Sequence, residues 1–170
     1  MDTYEFTRLG RSVDGTVPLE RFARLLEDLP GQPDASVVTW SLRGEQSAAG
    51  ERFLRLHVQA CPRLTCQRCL APLDWAVESE NRLRLVDSEA SLNEDVPGGA
   101  DEDDEDRVLG ARRFDVLALV EDEVILSLPL VPKHDVCPSD PKLGVVLDDQ
   151  SDVKGVAASP FAVLGTLKKD

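Results

Sequence analysis

Apolar residues recur along this chain with two different periods, and the period assigns the elements. Phe22, Leu25, Leu26 and Leu29 are spaced as one face of a helix. Pro18 suits the first turn of that helix, where a missing N–H costs nothing, and Pro30-Gly31 stops it. The period then changes to two. Val38, Trp40 and Leu42 alternate with Thr39, Ser41 and Arg43, and Leu54, Leu56, Val58 and Ala60 alternate with Arg55, His57 and Gln59, which predicts two strands joined through a Gly44–Gly50 turn. Trp75, Val77, Leu83 and Leu85 share a phase, with Arg82 and Arg84 on the opposite face, as in a long third strand or a strand pair. Strands this close together favour antiparallel pairing, because parallel pairing needs a crossover of about a dozen residues or more.

The helical period returns further on. Phe114, Leu117, Val120, Val124 and Leu128 step by three or four and predict a second helix to about Leu128, with Glu121, Asp122 and Glu123 as a solvated or capping face. Pro129 and Pro132 force an extended segment towards His134 and Cys137. Residues 138–158 read as an irregular linker. Ser159 can cap a short helix over 159–169, with Phe161, Val163, Leu164 and Leu167 on one face and Lys168 and Lys169 at its favourable pole, and this helix would dock on its own domain or on a partner. The pattern predicts a single α+β domain over 1–170. Its core is an antiparallel meander of about four strands covered by two helices, with a short C-terminal helix.

Composition agrees with one globular domain: 170 residues, 42% hydrophobic and 30% charged. The start of the chain has no basic flank followed by an apolar stretch, and the longest uncharged run, from Gly155 to Leu167, is too short for a bilayer. A cytoplasmic protein is expected, with neither a membrane nor DNA as partner. Charge changes the picture, because 32 acidic residues against 19 basic ones give a net −13, which argues against indiscriminate binding to nucleic acid. Residues 1–84 are close to neutral, so the excess lies in the second half. Much of it is in Glu94, Asp95 and Asp101–Asp106, interleaved with Pro97, Gly98 and Gly99. Residues 88–111 therefore read as a mobile acidic loop, which either solubilises the chain or attracts a basic partner.

Two groups of residues carry candidate chemistry. Cys66-Gln-Arg-Cys69 is a C-x2-C turn, whose two thiolates can face one tetrahedral zinc. His134-Asp-Val-Cys137 supplies an H-x2-C spacing and would complete a Cys3His set, while Cys61 in place of His134 would make an all-cysteine set. A reduced, partly buried cysteine turn without metal is the plainer alternative. A redox role is disfavoured, since the thioredoxin-like C-x2-C sits in a βαβ unit with no counterpart in this pattern. The second group is Arg43, Arg55, Arg82 and Arg84, which share the polar parity of their strands with His57, and Arg63 and Arg68 lie on the nearby turn. Such a face can contact RNA phosphates. At 5% aromatic residues, a base-stacking platform is less favoured. The usual nucleophile-elbow, P-loop, dinucleotide and zinc-protease motifs do not occur, so no enzyme is expected.

Three segments resemble the YceD family, proteins of bacteria and plastids named for accumulation of large-subunit ribosomal RNA. They are Cys66-Gln-Arg-Cys-Leu-Ala-Pro72, then Leu119 to His134 running on to Cys137, and Ser159-Pro-Phe-Ala-Val-Leu-Gly-Thr-Leu-Lys168. The resemblance implies a non-enzymatic role in synthesis, processing or stability of 23S ribosomal RNA. Its partner would be large-subunit ribosomal RNA or a basic large-subunit ribosomal protein. Some members carry a second C-x2-C where this chain has His134-x2-Cys137, and the family supplies no catalytic residues to transfer. The competing classes are a metal-dependent RNA-processing hydrolase and a zinc-stabilised protein-interaction scaffold.

Overall fold

Alternation along three long strands organises the protein into an α+β fold. The computed structural model describes residues 1–92 and 106–138. In chain order the elements are α1 (Thr3–Arg8), β1 (Ser12–Pro18), a 3-10 turn (Leu19–Arg21), α2 (Ala23–Leu26), β2 (Val37–Gln46), β3 (Arg52–Ala60), β4 (Arg63–Thr65), β5 (Pro72–Asp74), β6 (Val77–Val86), a second 3-10 turn (Ala90–Leu92), β7 (Arg107–Leu109) and α3 (Val116–Leu126). The main sheet has the order β1-β2-β3-β6-β7, antiparallel except for the parallel β6–β7 pair. β4 and β5 form a separate hairpin between β3 and β6.

One face of the sheet builds the core. Leu54, Leu56 and Val58 on β3 are fully buried, flanked by Val38 and Leu42 on β2 and by Leu83 and Leu85 on β6, and they meet Phe6, Leu25, Val120 and Val124 from the helices. α1 lies directly on β2 because residue 44 is glycine: a Cβ there would stand 2.7 Å from the Phe6 carbonyl oxygen. The other face carries Thr39, Ser41, Arg43, Arg55, Gln59 and Arg82 into solvent, and no helix covers it among the described residues.

Polar contacts between distant segments lock the helices. The Asp2 carboxylate accepts from the Tyr4 and Glu5 N–H groups and caps α1, and Asp115 caps α3 in the same way through Leu117 and Ala118. Met1 and Phe114 exchange backbone hydrogen bonds at 2.7 and 2.8 Å. Thr3, wholly buried, donates its N–H to the Ala111 carbonyl and accepts from the Ala111 N–H through its hydroxyl. α2 has no side-chain cap of its own. Glu121 of α3 supplies it, accepting from the Arg24 N–H at 2.8 Å, the Leu25 N–H at 3.1 Å and the Arg24 guanidinium at 2.9 Å.

Several expectations need correction. Pro18 ends β1 instead of opening a helix, since residues 12–18 pair with β2 and an edge strand tolerates proline at its end. The first helix is consequently one turn, Ala23–Leu26, preceded by the 3-10 turn. α1 and β1 were not legible, because residues 1–17 carry too few apolar positions to set a period. β2 runs through Gly44 to Gln46, so the turn is shorter than expected. The third strand begins at Val77, and Trp75 instead bonds its N–H to the Pro62 carbonyl. The sheet is therefore mixed and five-stranded. Within the stretch read as an acidic loop, Arg107–Leu109 is a strand: it pairs in parallel with Arg84–Val86. Residues 93–105 of that loop, the linker beyond Pro138 and the predicted C-terminal helix lie outside the described residues. Glu121 and Glu123 are buried and not solvated; Glu121 caps α2, and Glu123 accepts from Ser79 and Asn81 of β6.

The Glu121 contacts set a test of stability. Glu121→Ala leaves two backbone donors of α2 and a guanidinium without their acceptor, and should lower the unfolding free energy by about 2–3 kcal/mol in urea titration. Asp122→Ala removes a half-exposed partner of the same arginine and should cost less than about 1 kcal/mol.

Candidate metal centre and open sheet face

The β4–β5 hairpin ends in a tight turn that presents the C-x2-C pair. The Cys66 N–H donates to the Ala71 carbonyl at 3.0 Å and the Leu70 N–H to the Cys66 carbonyl at 2.8 Å. Leu70 closes the turn at φ 60, a left-handed conformation that costs a residue with a Cβ. The extended segment after α3 comes back across this turn, where the Gln67 N–H donates to the Pro132 carbonyl at 2.8 Å. The prolines expected to straighten that segment thus deliver its last residues to the cysteines.

Cys66, Cys69, His134 and Cys137 converge, with one donor atom from each lying within 4.8 Å of the others. The Cys66 and Cys137 sulfurs are 3.8 Å apart and the Cys69 sulfur is 3.4 Å from His134 Nδ1. All four cysteines are free. A tetrahedral ion with metal–sulfur bonds of about 2.3 Å and metal–nitrogen bonds of about 2.0–2.1 Å requires separations of about 3.8 Å between sulfurs and about 3.6 Å between sulfur and nitrogen. The Cys66–Cys137 separation meets the first and the Cys69–His134 separation is close to the second. His134 Nε2 lies 3.0 Å from the Pro72 carbonyl oxygen, so an N–H there is held by a backbone acceptor and Nδ1 keeps its lone pair towards the sulfurs. Arg68 clasps the second half of the set, donating through Nε to the Cys137 sulfur at 3.0 Å and through Nη2 to the His134 carbonyl at 2.8 Å. Cys61 is exposed and stands outside the group, so the all-cysteine alternative is not assembled.

The thiols are electrostatically unequal. Burial pushes the Cys66 thiol up, but N–H donors from Cys69, His134 and Arg68 outweigh it and bring it to about 5. The Ala71 N–H lowers the Cys69 thiol, yet burial and the neighbouring Cys137 and Cys66 sulfurs together raise it above its ordinary value. Sulfurs this close cannot all ionise unless a cation joins them. The group can therefore hold a metal ion, and its thiolate and imidazole donors suit a borderline-soft metal.

The arginines predicted from strand parity also come together. Arg43, Arg55 and Arg82 are directly opposite one another on β2, β3 and β6. His57 lies in the next row, across from Ser41 and Glu80, and Arg84 in the row on the other side, across from Phe53. The row is interleaved with acids: Arg55 donates to Glu45 at 3.2 Å and to Glu80 at 2.9 Å, and Arg84 to Glu51 at 2.6 Å. Arg82 lies over the Phe53 ring at 3.6 Å, and Arg43 has no ion-pair partner among the described residues. Arg63 and Arg68 do not join this face, because Asp74 holds the first and the cysteine–histidine group the second. The glutamates share the arginines' parity and were legible in that sense. Arg68 and the Pro72 carbonyl were missed as supports of the cluster, since nothing local distinguishes them.

A family model described as "Large ribosomal RNA subunit accumulation protein YceD" matches residues 54–168. The chain belongs to the YceD family. The match runs from β3 through the cysteine turn and α3, so the Cys66, Cys69, His134 and Cys137 group lies wholly inside the YceD region. The YceD name ties the chain to accumulation of large-subunit ribosomal RNA and names no catalytic activity. No solved structure matches the chain. No helix among the described residues is long and apolar enough to cross a membrane.

Metal uptake should reflect the unequal thiols. We expect one zinc ion per chain, with release of thiol protons, that of Cys69 included, and an affinity that falls as pH is lowered, measured by competition with a chromophoric chelator between pH 8 and 5. Cys66→Ser should abolish stoichiometric binding, and Cys61→Ser should leave it unchanged.

Proposed function

We propose that this chain is a non-catalytic factor that promotes accumulation of 23S ribosomal RNA by binding large-subunit RNA through the open face of its sheet. The observation that carries the reading is the row Arg43, Arg55 and Arg82. Like charges directly opposite on adjacent strands destabilise a sheet, and here Glu45 and Glu80 offset them only in part. A polyanion that lays phosphates along the row relieves that repulsion, and planar guanidinium groups suit phosphate oxygens. The acid-rich remainder of the chain disfavours unspecific adhesion, which suits a local, shaped contact.

The cysteine and histidine group has a separate, structural part in this reading. When bound, zinc would serve as a structural clamp: four protein donors fill a tetrahedral site and leave no position for a reacting water. Cys66, Cys69, His134 and Cys137 would thereby tie the segment after α3 to the β4–β5 turn. That is a role in shape and not in hydrolysis.

Ultraviolet crosslinking and sequencing of bound RNA in cells tests the proposal. Reads should concentrate on precursor and mature 23S RNA, and should be lost in Arg43→Glu/Arg55→Glu/Arg82→Glu. Purified protein should show a salt dependence of RNA affinity that the triple variant lowers by a slope of about 2, at about 0.7 per phosphate contact. If the triple variant crosslinks as well as the wild type does, the sheet face is not the contact. If the wild type shows no enrichment, the effect on ribosomal RNA runs through a basic ribosomal protein.

A further inference from the structure

A second cationic site lies away from the open face, in a groove of about 620 Å³ lined by Asp2, Tyr4, Glu5, Arg8, Gln46, Arg52 and Arg112. Its three arginines come from α1, β3 and the segment before α3. In this acid-rich chain many described arginines already face a carboxylate, as in the Arg11–Glu5, Arg24–Glu121, Arg63–Asp74 and Arg84–Glu51 pairs. Arg8 and Arg112 are exposed and have no hydrogen-bond or ion-pair partner among the described residues. The groove's own carboxylates are occupied elsewhere. Asp2 caps α1, and Glu5 pairs with Arg11.

The groove is also rigidly held. Thr3 and Ala111 exchange hydrogen bonds at 3.0 and 3.1 Å, which fixes the backbone next to Arg112 against α1. The Tyr4 hydroxyl donates to the Gly110 carbonyl at 3.0 Å, and the chain passes so close that a Cβ on Gly110 would stand 2.9 Å from the Tyr4 ring. Arg52 covers the same ring at 4.9 Å, its guanidinium meeting Asp87 at 3.4 Å on the rim. A guanidinium lying over an aromatic ring, with two uncommitted ones beside it, is similar to the combination that binds single-stranded nucleic acid: cations for successive phosphates, and the Arg52 plane backed by Tyr4 for a base.

We propose that this groove is a second contact for RNA, taking the phosphodiester backbone of a single strand on Arg8 and Arg112, with Arg52 and Tyr4 beside a base. It rests on the reading of the chain as an RNA-binding factor, and it adds a site of which Tyr4, Arg8 and Arg52 precede the family match. Arg8 and Arg112 are the contact residues, and Thr3, Gly110 and Ala111 position them. Two separate cationic sites would let the protein hold one RNA at two points, so each should contribute to affinity on its own.

Fluorescence anisotropy of the full chain with an eight-nucleotide single-stranded RNA tests this, with Arg8→Gln/Arg112→Gln and Arg43→Glu/Arg55→Glu/Arg82→Glu in parallel and thermal melts of each. Arg112→Glu alone is included because that position lies outside every helix and strand. The groove variant should melt with the wild type, bind about 10-fold more weakly and lose about 1.4 from the salt slope, the share of two phosphates at about 0.7 each. Arg112→Glu should show the same direction. Unchanged affinity in both groove variants overturns the groove, and if the open-face variant then loses binding, the proposed function stands without it. Loss in the groove variants with none in the open-face variant supports the groove and sinks the sheet face instead. Tripolyphosphate displacing the RNA from the groove as tightly as the RNA binds would overturn the strand assignment in favour of a general polyanion site. A wild type that binds no RNA overturns both.

Discussion

The structure depends on the two-residue period of β3. Leu54, Leu56 and Val58 are each wholly buried, and the strand lies between β2 and β6 at the middle of the sheet. Because successive side chains point to opposite faces, burying these three forces Arg55, His57 and Gln59 to the other side. A slip of one residue would bury arginine and expose leucine. The register that makes the core is thus the same register that sets Arg43, Arg55 and Arg82 in a row. Core and candidate RNA face are two consequences of one pairing.

Around that pairing, the helices are short and could not persist alone. α2 has four residues and α1 has six, well below the length at which isolated helices hold in water. What keeps them is burial of Phe6 and Leu25, together with caps from the adjacent Asp2 for α1 and from the distant Glu121 for α2. Glu121 shows how the two combine. A buried carboxylate is costly by itself, but here it meets two backbone donors and a guanidinium, so its desolvation is offset by three hydrogen bonds. The N-terminal residues are stitched to 110–114 by the same logic, which places Arg112 beside α1.

The cysteine and histidine group follows a different principle, in which four donors compete for protons in one small volume. The N–H groups around Cys66 favour a thiolate, while the crowding of Cys69 favours a thiol. Such an arrangement is best satisfied by a cation. Its position explains the prolines after α3 as well, because an extended segment reaches the β4–β5 turn where a continued helix would point away from it. The left-handed backbone at Leu70 is the local strain accepted to bring the two cysteines of the turn onto one side.

The strands β2, β3 and β6, the helix α3 and the open-face arginines were legible in the sequence because each announces itself through a period that repeats over several residues. The spacing of Cys66, Cys69, His134 and Cys137 was legible too, although it left Cys61 and His134 as competitors for one place. Only the tertiary structure decided between them: His134 is carried to the turn by the Pro132–Gln67 hydrogen bond, whereas Cys61 faces solvent. β1, β7 and α1 were not legible, since short edge elements take their stability from a neighbour's unpaired backbone and not from their own apolar pattern. Glu121 does cap, though a helix other than its own, and Glu123 was misjudged for the related reason that a run of acids reads as solvated until the donors it faces are known. Periodicity is a property of neighbours in sequence, so the chain alone determined which faces are apolar. Partnership between residues about a hundred positions apart is a property of packing, and only the folded protein could decide it.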